Sequence, residues 1–510
     1  MESETRRAYQ EYLNSKAPIV PDTGMRPGAV RECLFPFQRD IVQWALQRGR
    51  AALFADTGLG KTISQLEWAS QVSGHTQAPV LILAPLAVGQ QTAREARKFG
   101  IGGVKYCREQ TDIDSNTSIV VTNYERLHKF NQAEFRGIVL DESSVLKSFM
   151  GKTKRTLVST FKGMRFKLAC TATPAPNDHL ELGNHAEFLD VMASNEMIAR
   201  WFINDTSTFG TYRLKGHAVR SYWDWVSTWA RMLGLPSDMG YSDEGFVLPE
   251  LRMRKHVVEV DITQNRGDKL FRIPELSATS YHKEKRLTAD SRSRKIADCV
   301  EAEPNERWLI WCETDYEADA LTAVIPNAIE VRGSDSTERK ELAALWFAGD
   351  VCEECSEECA KLVRGKTSAA NPELGVCSNC GKTLHPAIMV SKSGIFGLGL
   401  NFQKCARVAF VGAGYSYESY YQSIRRCWRF GQTRPVDVHI ALASTEREVW
   451  DVLMRKAADH ERMKSAMFEA MRRAQGVDRK RRVLYNPQQV MRLPEWLFDH
   501  GTDDSTEEES

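Results

Sequence analysis

The sequence predicts an α/β chain built as two tandem parallel-sheet lobes, with a helical insertion in the first and a zinc-ribbon insertion in the second. Strand-sized apolar runs alternate with helical patterns in two separate series, one from Cys33 to about Leu189 and one beginning near Arg307. Between them a stretch rich in tryptophan breaks the rhythm. The length of 510 residues also exceeds what one hydrophobic core organises.

The first series predicts strands at Ala51 to Phe54, Val80 to Leu83, Ser118 to Thr122, Gly137 to Leu140 and Phe166 to Cys170. Trp201, Trp223, Trp225 and Trp229 then fall among helices, where shared helical faces favour packing on the lobe over base stacking. The second series predicts strands at Trp308 to Trp311, Ala328 to Val331, Ala387 to Val390, Val408 to Val411 and Val436 to Ala441, followed by a helix over Thr445 to Ala474. The expected division is 1–190, first lobe; 191–255, helical insertion; 256–295, linker; 296–460, second lobe with the ribbon at about 350–385; 461–510, C-terminal helix and acidic tail.

Hydrophobic residues at 42% and charged residues at 26% exclude disordered and fibrous classes. The net charge of +1 selects no partner, although Lys and Arg cluster in Lys147 to Lys167 and Arg462 to Arg482. The second cluster has two readings, a track for a phosphate backbone or a solvated helix face. The apolar runs are strand-sized, so no membrane partner and a cytoplasmic location are expected. No solenoid repeat is visible.

Asp56-Thr57-Gly58-Leu59-Gly60-Lys61-Thr62 follows a strand and opens a helix, the context of a phosphate-binding loop. Its glycines let backbone amides turn toward phosphates, Lys61 neutralises β/γ-phosphate charge, and the Thr62 hydroxyl suits Mg²⁺. Asp141-Glu142-Ser143-Ser144 ends the strand Ile138 to Leu140; Asp141 is the expected second Mg²⁺ ligand and Glu142 the base for the attacking water. The amide of Gln38 has the donors and acceptors to read an adenine edge. Loops after Leu83 and Thr122 are candidates to grip a phosphate backbone, and Thr171 and Thr173 place two hydroxyls at the next strand end.

Past Arg307, the segment Gln422-Ser423-Ile424-Arg425-Arg426-Cys427-Trp428-Arg429-Phe430-Gly431-Gln432 places Arg426 and Arg429 three apart, as on one face of a helix aimed across a cleft, with Arg429 the stronger candidate finger. Gly394 to Phe402 is a glycine-rich turn. Cys352, Cys355, Cys377 and Cys380 form two Cys-x-x-Cys knuckles suited to a structural tetrahedral Zn²⁺, with Cys359 a further candidate ligand.

The order of these segments resembles the superfamily 2 helicases, within them the Swi/Snf-type translocases and their phage-encoded DEAD-like relatives. The resemblance implies two RecA-like lobes that bind ATP and Mg²⁺ between them. Thr57, Gly58, Leu59, Gly60, Lys61, Thr62, Gln38, Gly399 and Gln422 would hold the nucleotide, and Lys61, Asp141, Glu142, Arg426 and Arg429 would act in hydrolysis. It also implies a DNA-dependent ATPase, a monomer that translocates on duplex DNA, in the host cytoplasm if phage-encoded. RNA is the other candidate track, and replication or recombination proteins are candidate partners. The alternatives are a strand-separating helicase and a non-motor scaffold clamped by ATP. The chain departs from the family where Asp141-Glu142-Ser143-Ser144 replaces Asp-Glu-Ala-His and where Cys170-Thr171-Ala172 replaces Leu-Thr-Gly.

Overall fold

The computed structural model describes residues 22–85, 88–147, 151–175, 179–204, 212–260, 278–363, 369–396 and 401–475. The acidic tail, Gly399 and the basic stretch beyond 475 lie outside them.

Helix α1 (Pro36–Arg48) starts with proline at its first position, and the Phe35 N–H donates to Gln38 Oε1 at 3.0 Å. Gly49, at φ 72°, stops it. There follow β1 (Arg50–Ala55), α2 (Lys61–Thr76), β2 (Val80–Ala84), α3 (Gly89–Lys98), β3 (Val104–Tyr106), β4 (Ile119–Asn123), β5 (Gly137–Asp141), α4 (Lys152–Thr160), β6 (Phe166–Thr171), α5 (Glu181–Phe188) and α6 (Ser194–Trp201). A hairpin of β7 (Phe202–Asn204) and β8 (Tyr212–Leu214) leads to α7 (Val219–Trp229) and β9 (Ala230–Leu233). The first sheet is parallel in the order β3-β4-β2-β5-β6-β1-β9. Alternate side chains enter opposite apolar layers: Ala52 and Phe54 go to one, Ala51, Leu53 and Ala55 to the other.

The second lobe contains β10 (Leu251–Val258), α8 (Ala278–Leu287), α9 (Ala289–Ala302), β11 (Arg307–Cys312), α10 (Asp315–Val324), β12 (Ile329–Val331), α11 (Thr337–Ala348), α12 (Glu357–Leu362), β13 (Ala387–Lys392), α13 (Ser393–Phe396), β14 (Arg407–Val411), α14 (Tyr417–Ile424), β15 (Val436–Ala443) and α15 (Arg447–Gln475). Its sheet is parallel in the order β10-β15-β14-β11-β13-β12. No described helix is long and apolar enough to cross a membrane.

The expected division needs correcting between the lobes. Residues 191–255, expected as a helical insertion on the first lobe, also supply strands to both sheets: β9 extends the first sheet beside β1 while β10 pairs with β15 in the second. The second lobe therefore begins by Leu251 rather than at 296. Strand β10, Leu-Arg-Met-Arg-Lys-His-Val-Val, is an exposed edge strand with charges along it, so it has no apolar run to announce it.

Trp223, Trp225 and Trp229 are buried, and Trp225 stacks on Trp201 with ring centroids 4.6 Å apart. Burying such a ring stabilises the fold by roughly 3–5 kcal/mol against alanine, more than the ~1–3 kcal/mol of a stacked base; these rings are core. Helix α15 spans both lobes. Val449 sits in the second lobe's core, whereas Met463, Met467 and Ala470 pack into the first lobe's tryptophan layer.

Candidate active site

The C-terminal ends of adjacent strands β5, β6 and β1 converge at one rim of the first sheet, where ligands of open α/β sheets sit. After β1 the chain turns through Gly58 (φ 93°) and Gly60 (φ 75°), left-handed positions that favour glycine, and Lys61 begins the 16-residue α2. The loop's amides and the positive end of the helix thus face one cradle. Lys61 Nζ donates to the carbonyls of Ala55 at 2.8 Å and Asp56 at 3.2 Å, which tucks the ammonium inside the loop. Burial pushes its pKa down, while Glu142, Asp56 and Asp141 oppose that shift.

Asp141 ends β5 and accepts from Gln65 Nε2 at 2.9 Å; Tyr124 donates its hydroxyl to the Asp141 carbonyl at 2.8 Å. Burial raises the Asp141 carboxyl. Glu142 has φ 60°, a left-handed backbone unfavourable for a side chain of this kind and common where catalytic groups are aimed. Burial pushes its carboxyl up to about 7, against the attraction of Lys61. Thr171 Oγ1 lies 3.5 Å from Glu142 Oε1 and accepts the Thr173 N–H at 3.0 Å, linking the two strand ends. The Thr62 hydroxyl and the Asp141 carboxylate are hard oxygen donors at this cradle and fit Mg²⁺.

Where the family's acid box ends in histidine, Ser143 and Ser144 stand, but an imidazole reaches the box from elsewhere. His185 on α5 is fully buried, with Nε2 3.1 Å from Ser143 Oγ and its ring edge-on to Phe54. Its signal in the sequence, a lone His in a helix, did not distinguish it.

The second lobe closes the cradle. Gln422 Nε2, at the end of α14, lies 3.4 Å from both Glu142 Oε1 and Thr173 Oγ1. Arg426 and Arg429 are not on a helical face: α14 stops at Ile424, and both lie in the turn that follows. The turn aims them differently. Arg426 is buried, donates through Nε to the Gln422 carbonyl at 3.0 Å, and has its charged form favoured by Glu142. Arg429 is felt electrostatically by Lys61 and is itself favoured as a cation by Glu95. Burial pushes both guanidinium groups down to about 10, so both stay charged at neutral pH.

Gln38 is buried, and its amide bridges backbone on either side of the cradle: Nε2 donates to the Leu59 carbonyl at 3.0 Å while Oε1 accepts from Phe35. Phe430 packs against Gly58, where an added Cβ would lie 2.7 Å from the Phe430 Cβ and 2.8 Å from its backbone N. Sequence reasoning missed Gln65, Tyr124, His185, Tyr421, Arg425 and Lys464. The last of these is no solvated-face lysine, since its ammonium is buried 3.2 Å from Asp56.

Cys352, Cys355, Cys377 and Cys380 do converge, with Sγ–Sγ separations of 3.7 Å (352–355), 3.6 Å (352–380) and 3.8 Å (355–377). Tetrahedral thiolates ~2.3 Å from one Zn²⁺ lie about 3.8 Å apart, so the four fit that ion. Cys359 is not among them; it is buried in the second lobe's apolar core with Phe347 and Phe402.

Residues 35–182 match the DEAD/DEAH box helicase family. Over 500 residues the chain is 24% identical to protein p41 of Acyrthosiphon pisum secondary endosymbiont phage 1, covering 86% of this chain and 98% of that one. It is 30% identical over 187 residues to the SWI/SNF-related matrix-associated actin-dependent regulator of chromatin subfamily A-like protein 1 homolog of Caenorhabditis elegans, covering 34% of this chain and 26% of that one. A solved SWI2/SNF2 ATPase core from Sulfolobus solfataricus in complex with dsDNA is 16% identical, with coverage of 87% of this chain and 96% of that one at a TM-score of 0.38. The chain thus spans nearly all of the phage protein and about a quarter of the Caenorhabditis one. The first lobe thus carries a DEAD/DEAH box helicase match over residues 35–182, and SWI/SNF-related proteins stand among the chain's sequence relatives.

Proposed function

We propose that the protein hydrolyses ATP in the cleft between its lobes and uses the cycle to translocate on duplex DNA. The observation that carries this reading is the convergence of Lys61, Asp141 and Glu142 with Gln422 and Arg426 on one cradle, since neither lobe alone holds a complete hydrolytic set. Thr62 and Asp141 would hold Mg²⁺, which supplies charge neutralisation at the phosphates. Glu142 accepts the proton of the attacking water, and Arg426 and Arg429 meet the charge that develops on the γ-phosphate.

A cavity of about 540 Å³ opens between the lobes, lined by Arg94, Lys98 and Glu95 of α3 and by Lys340, Gln403 and Lys404 of the second lobe. Its cations and amides suit a sugar-phosphate backbone. DNA is favoured as the track because a human relative, 27% identical over 172 residues, is named a DNA annealing helicase and endonuclease. The test is ATPase activity with duplex, single-stranded, forked and RNA ligands, beside triplex-displacement and strand-displacement assays. Duplex-stimulated turnover with triplex displacement is expected; equal turnover without nucleic acid, or strand displacement in place of triplex displacement, overturns the reading.

The cysteine cluster is, in the same proposal, a structural Zn²⁺ site with no position left for water. One zinc per chain is expected by elemental analysis. Cys377→Ser drops the zinc content well below one and lowers the melting temperature by roughly 5–10 °C, as a loss of a few kcal/mol does in a domain of this size.

A further inference from the structure

The second lobe also grips the start of the phosphate loop, through residues that the hydrolytic mechanism does not use. Asp56 Oδ1 lies 3.0 Å from Arg425 Nη2 and accepts the Tyr421 hydroxyl at 2.9 Å and the Thr57 N–H at 2.7 Å. Lys464 of α15 approaches the other oxygen at 3.2 Å. Arg425 Nη2 donates to the Thr57 carbonyl at 3.0 Å, and its Nε donates to the Thr57 hydroxyl. Burial alone would raise the Asp56 carboxyl, but these cations and donors outweigh it and hold the group well below the usual carboxylate range.

We propose that Arg425, backed by Lys464, is a positioning residue for the nucleotide: by neutralising Asp56 it converts the acidic entrance of the phosphate loop into one that accepts a triphosphate, so nucleotide affinity depends on the second lobe being seated. The proposal rests on the loop being the ATP site. The first lobe alone places a carboxylate beside Lys61, whose ammonium feels it. A triphosphate entering there meets a like charge. With the second lobe in place the same cluster carries two cations and one anion, −1 + 1 + 1 = +1. Adjacent arginines thus divide the work, Arg425 facing the loop's acid and Arg426 facing the acid box. The partners stand 369 and 408 positions apart in the chain, so lobe closure itself assembles the site.

The test measures binding of a fluorescent ATP analogue by the full chain without DNA, and KM and kcat for ATP with saturating duplex. Arg425→Met is expected to raise both Kd and KM about tenfold with kcat within about threefold, the pattern of lost ground-state binding. Asp56→Asn binds close to wild type. The double variant Asp56→Asn/Arg425→Met returns to within about threefold of wild type, because the carboxylate that Arg425 screens is gone. Arg425→Lys retains most of the affinity.

A merely structural pair gives no rescue in the double variant, and that result overturns the proposal. So does wild-type binding by Arg425→Met, or a fall in its kcat at unchanged KM. Lys61→Ala separates the two readings. If it binds nucleotide normally, the ATP-site reading fails; if it binds weakly while Arg425→Met is normal, only the role of Arg425 fails.

Discussion

Glu142→Gln lowers kcat for ATP hydrolysis by roughly 10²–10⁴-fold, the range for removing a positioned general base, and leaves nucleotide affinity within a few-fold. The amide keeps the shape of the side chain and can still meet Thr171 and Gln422, but it cannot take a proton from water. The wild-type pH profile follows from the same burial. With the Glu142 carboxyl pushed up to about 7, the active carboxylate form is lost as pH falls through neutrality, so kcat/KM declines on the acid side. A bound Mg²⁺ favours the ionised form, and the acid limb of kcat therefore lies below that of kcat/KM. Stability has the opposite sign. A carboxyl whose folded pKa exceeds its unfolded value binds its proton more tightly when folded, so the wild type loses stability as pH rises from about 4.5 to about 7. Glu142→Gln consequently raises the melting temperature more at pH 8 than at pH 5, while activity collapses at both. Steady-state ATPase and thermal melts across that range check the whole set; a variant with substantial activity and an unchanged acid limb would remove Glu142 from the base's role.

Nine central strands and the edge strand β12 were legible because a parallel sheet covered on both faces needs apolar runs such as Val80–Ala84 and Ile138 to Leu140. The other edge strands escaped. β10 is charged and exposed, β9 follows the tryptophan helix without a break, and β3 has only three residues. In the site, the phosphate loop and acid box are local patterns on strand ends, and the structure brings Lys61, Asp141 and Glu142 together. The spacing of Arg426 and Arg429 suggested a helix, but hydrogen bonds of the turn kind, Arg426 N–H to Ser423 and Arg429 N–H to Cys427, replace the helical ladder after Ile424. What local pattern cannot carry is pairing across hundreds of residues. Lys464 sits in a basic helical run that looks solvated until α15 lays it against Asp56, and His185 has no neighbour in sequence to mark it as Ser143's partner. Gly399 lies outside the described residues.

The largest expected loss comes from the arginines of the turn. Arg429→Ala lowers kcat by roughly 10³-fold or more, the lower end of what an arginine finger contributes, with KM for ATP little changed. Two features support an effect on the transition state rather than on binding. Burial takes the guanidinium down to about 10 yet leaves it charged at neutral pH, so a full cation stands in a poorly hydrated cleft where its field is strong. The charge that most favours its protonated form is that of Glu95, which lines the interlobe cavity. Glu95 thereby couples the charge of the cavity wall to Arg429. Glu95→Gln is accordingly expected to raise turnover without nucleic acid and to shrink the stimulation by duplex, whereas Arg429→Lys fails to restore kcat because an ammonium lacks the planar fork. Arg426→Ala is comparably damaging but also disturbs the order of the turn, since its Nε holds the Gln422 carbonyl and Gln422 in turn faces Glu142. ATPase measured with and without duplex for the four variants decides it: an Arg429→Ala protein that keeps more than about a tenth of wild-type kcat, a deficit near 1.4 kcal/mol, places the transition-state cation elsewhere.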